Sequence, residues 1–103
     1  MPTKMPSRAL ICEAIQKRVL LEFRYHDRLR VVAPYCYGLS KRDGAPVLRG
    51  IQVRGASASG GFGFGKLWIV SEMMGLRVLD EAFVPNDPNY NPNDSAMSEI
   101  VCR

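Results

Sequence analysis

The sequence predicts a mainly β domain, with one amphipathic helix in front of short strands that close into a small antiparallel barrel. Three observations carry this reading. Apolar residues recur at helical spacing in one early segment, between Arg8 and Lys17. From Val19 onward the apolar pattern alternates with period two, in short segments set off by turn residues. No helical segments alternate with those strands, which argues against a layered parallel α/β fold.

A chain of 103 residues makes one domain. It is expected to divide into a frayed lead over residues 1–6, a barrel domain with its helix over 7–84, and an extended tail with a last strand over 85–103, packed on the barrel. A core of this size gives marginal stability, which oligomerisation would improve.

The elements follow in order. Ser7 is placed to cap a helix that runs from Arg8 to Lys17 and carries Leu10, Ile11, Ala14 and Ile15 on one stripe. Glu13 and Lys17 form an i,i+4 pair in the favourable order, and Lys17 and Arg18 complement the helix dipole. Such a helix cannot bury its own stripe and must lie on a sheet. Residues 19–34 then read as a hairpin turning at His26-Asp27. Leu21, Phe23 and Tyr25 share one face of its first strand. In its second strand Arg28 and Arg30 share one face, and Leu29, Val31 and Ala33 the other. The expected result is an apolar face toward the core and basic side chains toward solvent, with Pro34 ending the ladder because it has no N–H. Tyr35 to Ser40 is expected as a third strand. Asp43-Gly44 signals a hairpin, and Val47 to Arg54 is the next strand, bent at Gly50.

Gly55 to Gly65 has five glycines in eleven residues and reads as a mobile loop. Phe62 and Phe64 within it either cap the barrel or touch a ligand or second subunit. Lys66 to Val70 is a strand, Ser71 to Gly75 a turn or a short helical turn, and Leu76 to Leu79 another strand. Pro85 to Asp94 holds three prolines and four asparagines and reads as surface coil anchored by Tyr90. Ser95 to Cys102 is the last strand.

Charge is distributed unevenly. Residues 17–54 hold nine Lys/Arg against three Asp/Glu, whereas residues 55–103 hold three against six. A basic half suggests an anionic partner such as nucleic acid, a nucleotide or another phosphate. Cys12, Cys36 and Cys102 are an odd set with no close pair, and His26 is the only histidine. That pattern argues against a metal site and against a disulfide framework, and three unpaired thiols suit a reducing cytoplasm. No apolar run has the length of a signal peptide or a membrane span. No cofactor is implied.

Enzyme chemistry finds little support. Gly60 to Lys66 has the spacing of a phosphate-binding P-loop, but Leu67 stands where Ser or Thr would hold Mg²⁺, and the next segment reads as a strand rather than a helix. His26-Asp27 sits in a hairpin turn, Glu22 and Glu72 have no evident partners, and no nucleophile elbow is present. No catalytic residues are assigned.

The order Ala14-Ile15, Tyr25, Arg30-Val31-Val32-Ala33-Pro34-Tyr35 and Gly38-Leu39 resembles a WYL domain over about Leu10 to Val78. These are bacterial regulatory modules, usually placed behind a helix-turn-helix. In the signature strand, Val47 to Val53, only Leu48 of Trp-Tyr-Leu is present; Lys66 and Trp68 match a later basic and aromatic pair, and Ser71-Glu72 stands where that pattern has Asp-Arg. The tail from Asn89 to Met97 is similar to the end of short stand-alone WYL-like proteins that lack a helix-turn-helix. The resemblance implies a small Sm-like or SH3-like β-barrel that binds nucleic acid or another anionic effector through basic and aromatic side chains. Arg30 and Lys66 occupy its matched positions. The residues themselves add Arg28, Arg49, Arg54 and Trp68, with arginines as phosphate contacts and Trp68 as a stacking platform, although a lone tryptophan in a short strand is more often a core residue. The expected function is therefore a non-enzymatic ligand-binding or regulatory module, its effector single-stranded nucleic acid or a nucleotide. A DNA-binding partner in trans would fit it, and a homo-oligomeric or protein-interaction module is the alternative.

Overall fold

The computed structural model describes residues 7–55, 67–88 and 90–103. Helix α1 (Ser7–Lys17) buries Ile11, Ala14 and Ile15, as its apolar stripe requires. It stops at Arg18, whose φ of 58° is left-handed and whose N–H reaches back to the Ile15 carbonyl at 3.3 Å.

Strands β1 (Val19–Tyr25) and β2 (Arg28–Ser40) form the expected hairpin. His26 and Asp27 both have positive φ, 51° and 63°, the backbone of a two-residue turn whose twist matches the strands. That turn fixes the register: Tyr25 opposes Arg28, Phe23 opposes Arg30 and Leu21 opposes Val32. Directly opposed residues share a face. Arg30 therefore lies on the core side with Phe23, and Leu29 is the residue left outside, correcting the expectation that the hairpin turns its basic residues to solvent. Alternation in β2 does not show which face is the interior, because residues 31–38 are buried on both.

Pro34 does not end the ladder. β2 runs through it as one strand of 13 residues, and Tyr35 to Ser40 is its continuation rather than a third strand. Pairing with β1 ends at Val32 and pairing with β6 (Met97–Cys102) begins at Tyr37, so Pro34 falls in a gap where β3 is its one ladder neighbour among the described residues. The turn to β3 (Pro46–Gly55) closes at Asp43-Gly44, with Ser40 N–H donating to the Ala45 carbonyl at 2.8 Å.

Strand β4 (Leu67–Ile69) is followed by a 3₁₀ turn at Val70–Glu72, and β5 (Met73–Ala82) starts directly after it. Val70 thus leaves the strand expected for it, and β5 extends well beyond Leu76–Leu79. Among the described residues, six strands form one antiparallel sheet in the order β4-β3-β2-β1-β5, with β6 against β2. The sheet is not closed: among the described residues no pairing joins β4 to β5. It is nevertheless strongly curled. Trp68 of β4 meets Phe23 and Tyr25 of β1 with ring centroids 5.4 and 4.9 Å apart, and Ile69 N–H donates to the Tyr25 hydroxyl at 3.1 Å.

Two apolar clusters result. One lies under α1 and holds Phe23, Tyr25, Val32, Leu48 and Trp68. The other holds Leu20, Val31, Ala33, Tyr35, Cys36, Val47 and Met97, and residues of the tail pack on it. Phe83 and Tyr90 rest on Tyr35, with centroids 5.7 and 5.0 Å away, so Tyr90 is an anchor of the coil as its isolation among prolines and asparagines suggested. The thiol reading is overturned. Cys12 of α1 and Cys102 of β6 form a disulfide, with Cα atoms 5.8 Å apart, leaving Cys36 as the free, buried cysteine. Their sequence separation of 90 hides this pairing from the sequence, and three free thiols no longer point to a reducing compartment. Among the described residues, no helix is long and apolar enough to cross a membrane.

Candidate anion-binding site

The hairpin register gathers a group of side chains that the sequence reading had separated. Arg30 is 4% exposed, yet no carboxylate lies within ion-pair distance of it among the described residues. Neutral groups hold its guanidinium. Nη2 donates to the Tyr25 carbonyl at 3.1 Å and Nη1 to Gln52 Oε1 at 3.4 Å. Its Cζ stands 5.6 Å from the ring centres of both Tyr25 and Trp68, a cation–π arrangement on two aromatic faces. Nε is buried without a hydrogen-bond partner. Burial, and then the nearby charge of Arg28, lower the proton affinity of this guanidinium. Arginine nonetheless keeps its proton at any ordinary pH, so the site holds a desolvated and electrostatically uncompensated cation.

Around it, Arg28 is exposed on the same strand face and makes no ion pair among the described residues. His26 stacks on Tyr25 at 4.4 Å and 19°, and its Nε2 meets the Glu72 carboxylate. His26 is thus part of the rim, partnered by Glu72 rather than by Asp27. Gln52, 5% exposed, passes its own amide N–H to the Arg54 carbonyl at 3.3 Å.

Of the six residues expected to bind a ligand, the structure brings together Arg28, Arg30 and Trp68. Trp68 is 1% exposed, and its Nε1 donates to the Gly50 carbonyl at 3.2 Å. It is a wall behind Arg30, with no open face on which a base could stack. Arg49 lies elsewhere, held at 2.6 Å by Asp94 in the tail. Arg54 is exposed but paired at two points with Glu81, at 2.7 and 2.9 Å, on the outer face where Arg77 also pairs with Glu22. The Arg54 hydrogen bond holds the Glu81 carboxyl below its ordinary range. These two arginines therefore already have anionic partners, which charge counting cannot reveal. Lys66, and Phe62 and Phe64 with the rest of the loop after Gly55, lie outside the described residues, as do the first six residues and the Ser7 side chain.

Tyr25, His26 and Gln52 are the members of the group that the sequence reading missed. Hairpin parity would have found Tyr25: a two-residue turn at 26–27 places Tyr25 and Phe23 on the face of Arg28 and Arg30. Gln52 sits on β3, where the pairing jumps from Val31–Arg54 to Val32–Gln52, so no simple alternation places it. Among the described residues there is no group of three His, Cys, Asp or Glu side chains that could hold a metal ion. No protein-family model, no curated protein and no solved structure matches the chain.

Proposed function

We propose that this protein is a non-enzymatic, WYL-like binding module that recognises an anionic effector, nucleic acid or a nucleotide, with Arg30 as its anchoring cation and Arg28 as its outer contact. One observation carries the reading: a guanidinium 4% exposed, backed by two aromatic rings and with Nε unpartnered, has no carboxylate within ion-pair distance among the described residues. A buried charge left uncompensated costs stability, and an anion drawn to it would recover that cost in a region of low dielectric. We read the open sheet as an Sm-like or SH3-like barrel, a reading supported by the packing of Trp68 of β4 on Phe23 of β1.

The test is fluorescence anisotropy of a labelled oligothymidylate against salt, with an unlabelled nucleotide as competitor. Binding at low salt that falls steeply as salt rises is expected. Arg28→Ala should weaken it, while Arg8→Ala should not. Absence of binding to both probes at low salt, or equal losses in the two variants, would sink the proposal.

A second reading, a homo-oligomeric module, has its own support. Strand β5 has β1 as its one ladder partner among the described residues, and Met74 at its start is 68% exposed. Light scattering that finds a monomer at micromolar concentration would remove it.

A further inference from the structure

On the opposite side of the sheet from Arg30, the tail does not fill the space it covers. A cavity of about 480 Å³ remains between the end of α1, β2 and the tail. Its aromatic wall is Tyr35, Phe83 and Tyr90, and Arg18 and Arg103 also line it, Arg103 Nη1 donating to the Pro92 carbonyl at 3.2 Å. No acidic side chain lines it among the described residues. Asp94 is held by Arg49, and the Asp87 backbone N–H donates to the Tyr35 hydroxyl at 3.4 Å. The volume is that of a small-molecule site, and apolar walls with a few convergent polar groups are what such sites have.

Arg18 supplies an independent observation. It is the first residue after α1 and has a φ of 58°. Glycine or asparagine usually takes that position, because a larger side chain is strained there. The backbone is pinned in this conformation from both sides: Arg18 N–H donates to Ile15 and the Arg18 carbonyl accepts from Phe83 N–H at 2.9 Å. A strained arginine therefore aligns the edge of the cavity with the ring that lines it. Its side chain is exposed and makes no ion pair among the described residues. Strain held by surrounding structure is a pointer to function.

We propose that this cavity is a second binding site, for a small molecule in which a planar ring carries one anionic group. The ring lies against Tyr90 and Phe83, and the anion is held by Arg18 and Arg103. Guanidinium groups suit both phosphate and carboxylate, and both arise here from the same chemistry. The site shares no lining residue with the Arg30 group, so it goes beyond the function proposed above.

The experiment is isothermal titration of the full chain with AMP and with 4-hydroxybenzoate, which separate a phosphate from a carboxylate ligand, and with adenosine and phenol as uncharged counterparts. One of the two anions should bind, at least about tenfold tighter than its uncharged counterpart, as a lost charge-assisted contact requires. The deciding variant is Arg18→Gly. It removes the cation and relieves the strained backbone, so it should raise the melting temperature while weakening binding about tenfold. Tyr90→Phe should retain binding. Failure of both anions to bind, or unchanged affinity in Arg18→Gly, overturns the site. Binding lost in Arg30→Met but kept in Arg18→Gly overturns it too and places the ligand at the Arg30 group instead.

Discussion

Arg49 grips Asp94 with two hydrogen bonds, Nε to Oδ2 at 2.6 Å and Nη2 to Oδ1 at 3.1 Å, and so fastens the tail to the middle of β3. Both side chains are largely buried, 14% and 8% exposed. Asp94 Oδ1 also accepts the Ala96 N–H at 2.9 Å, which shapes the turn into β6.

The pair makes stability depend on acid. The Arg49 hydrogen bond, above all, holds the Asp94 carboxyl below its ordinary range. A depressed carboxyl contributes stability above its unfolded pKa, near 4, and that contribution is lost as pH falls through the lower folded value. Thermal melts between neutral pH and about pH 2 should show this loss, and Asp94→Asn should lack it. At neutral pH Asp94→Ala should cost about 3 kcal/mol, since it leaves Arg49 in a largely buried place without its partner.

Replacing Arg30 separates stability from binding. Methionine keeps the length of the stem and removes a charge that no carboxylate among the described residues balances. The melting temperature of Arg30→Met should therefore hold or rise, by up to the equivalent of about 1 kcal/mol, while anisotropy shows loss of oligonucleotide binding. A fall in stability beyond about 2 kcal/mol would show that the ring and carbonyl contacts outweigh the desolvation.

The disulfide ties the first element to the last. Without reductant, the denatured chain should accept one alkylating group, at Cys36, and with reductant three, read by mass spectrometry. Reduction should lower stability by about 2–4 kcal/mol, because the bond closes a long loop in the unfolded chain. The Cys36 thiol, pushed up to about 11 chiefly by burial, should be inert in the folded protein.

Gly38 carries β6. A Cβ there would meet the Glu99 carbonyl oxygen at 2.2 Å and the Met97 sulfur at 2.7 Å. Backbone cannot yield as a side-chain tip can, so Gly38→Ala should cost at least about 2 kcal/mol. Proteolysis of the tail should accelerate in that variant.

What the sequence made legible was what local chemistry decides. The stripe of α1, the turns at His26-Asp27 and Asp43-Gly44, and the anchoring role of Tyr90 follow from spacing and backbone preference. What it hid depends on distant partners. Arg49 and Arg54 counted as free charges because Asp94 and Glu81 lie 45 and 27 residues away. Cys12 meets Cys102 across nearly the whole chain. The face of Arg30 was an error of a different kind, because β2 has apolar residues on both sides and alternation alone cannot say which side is the interior. The turn parity decides it.

That double burial also sets how the molecule opens. A strand covered on one face only can exchange its amide hydrogens when a single cover lifts. Residues 31–38 lie between the helix-side core and the tail, with β3 alongside and β1 and β6 at their two ends. Lifting the tail alone leaves the ladder and the inner core intact, and loosening the helix leaves the outer cover in place. The centre of β2 is thus the last part of the chain that deuterium reaches, and its exchange rate reports the unfolding of the whole domain rather than any local fluctuation.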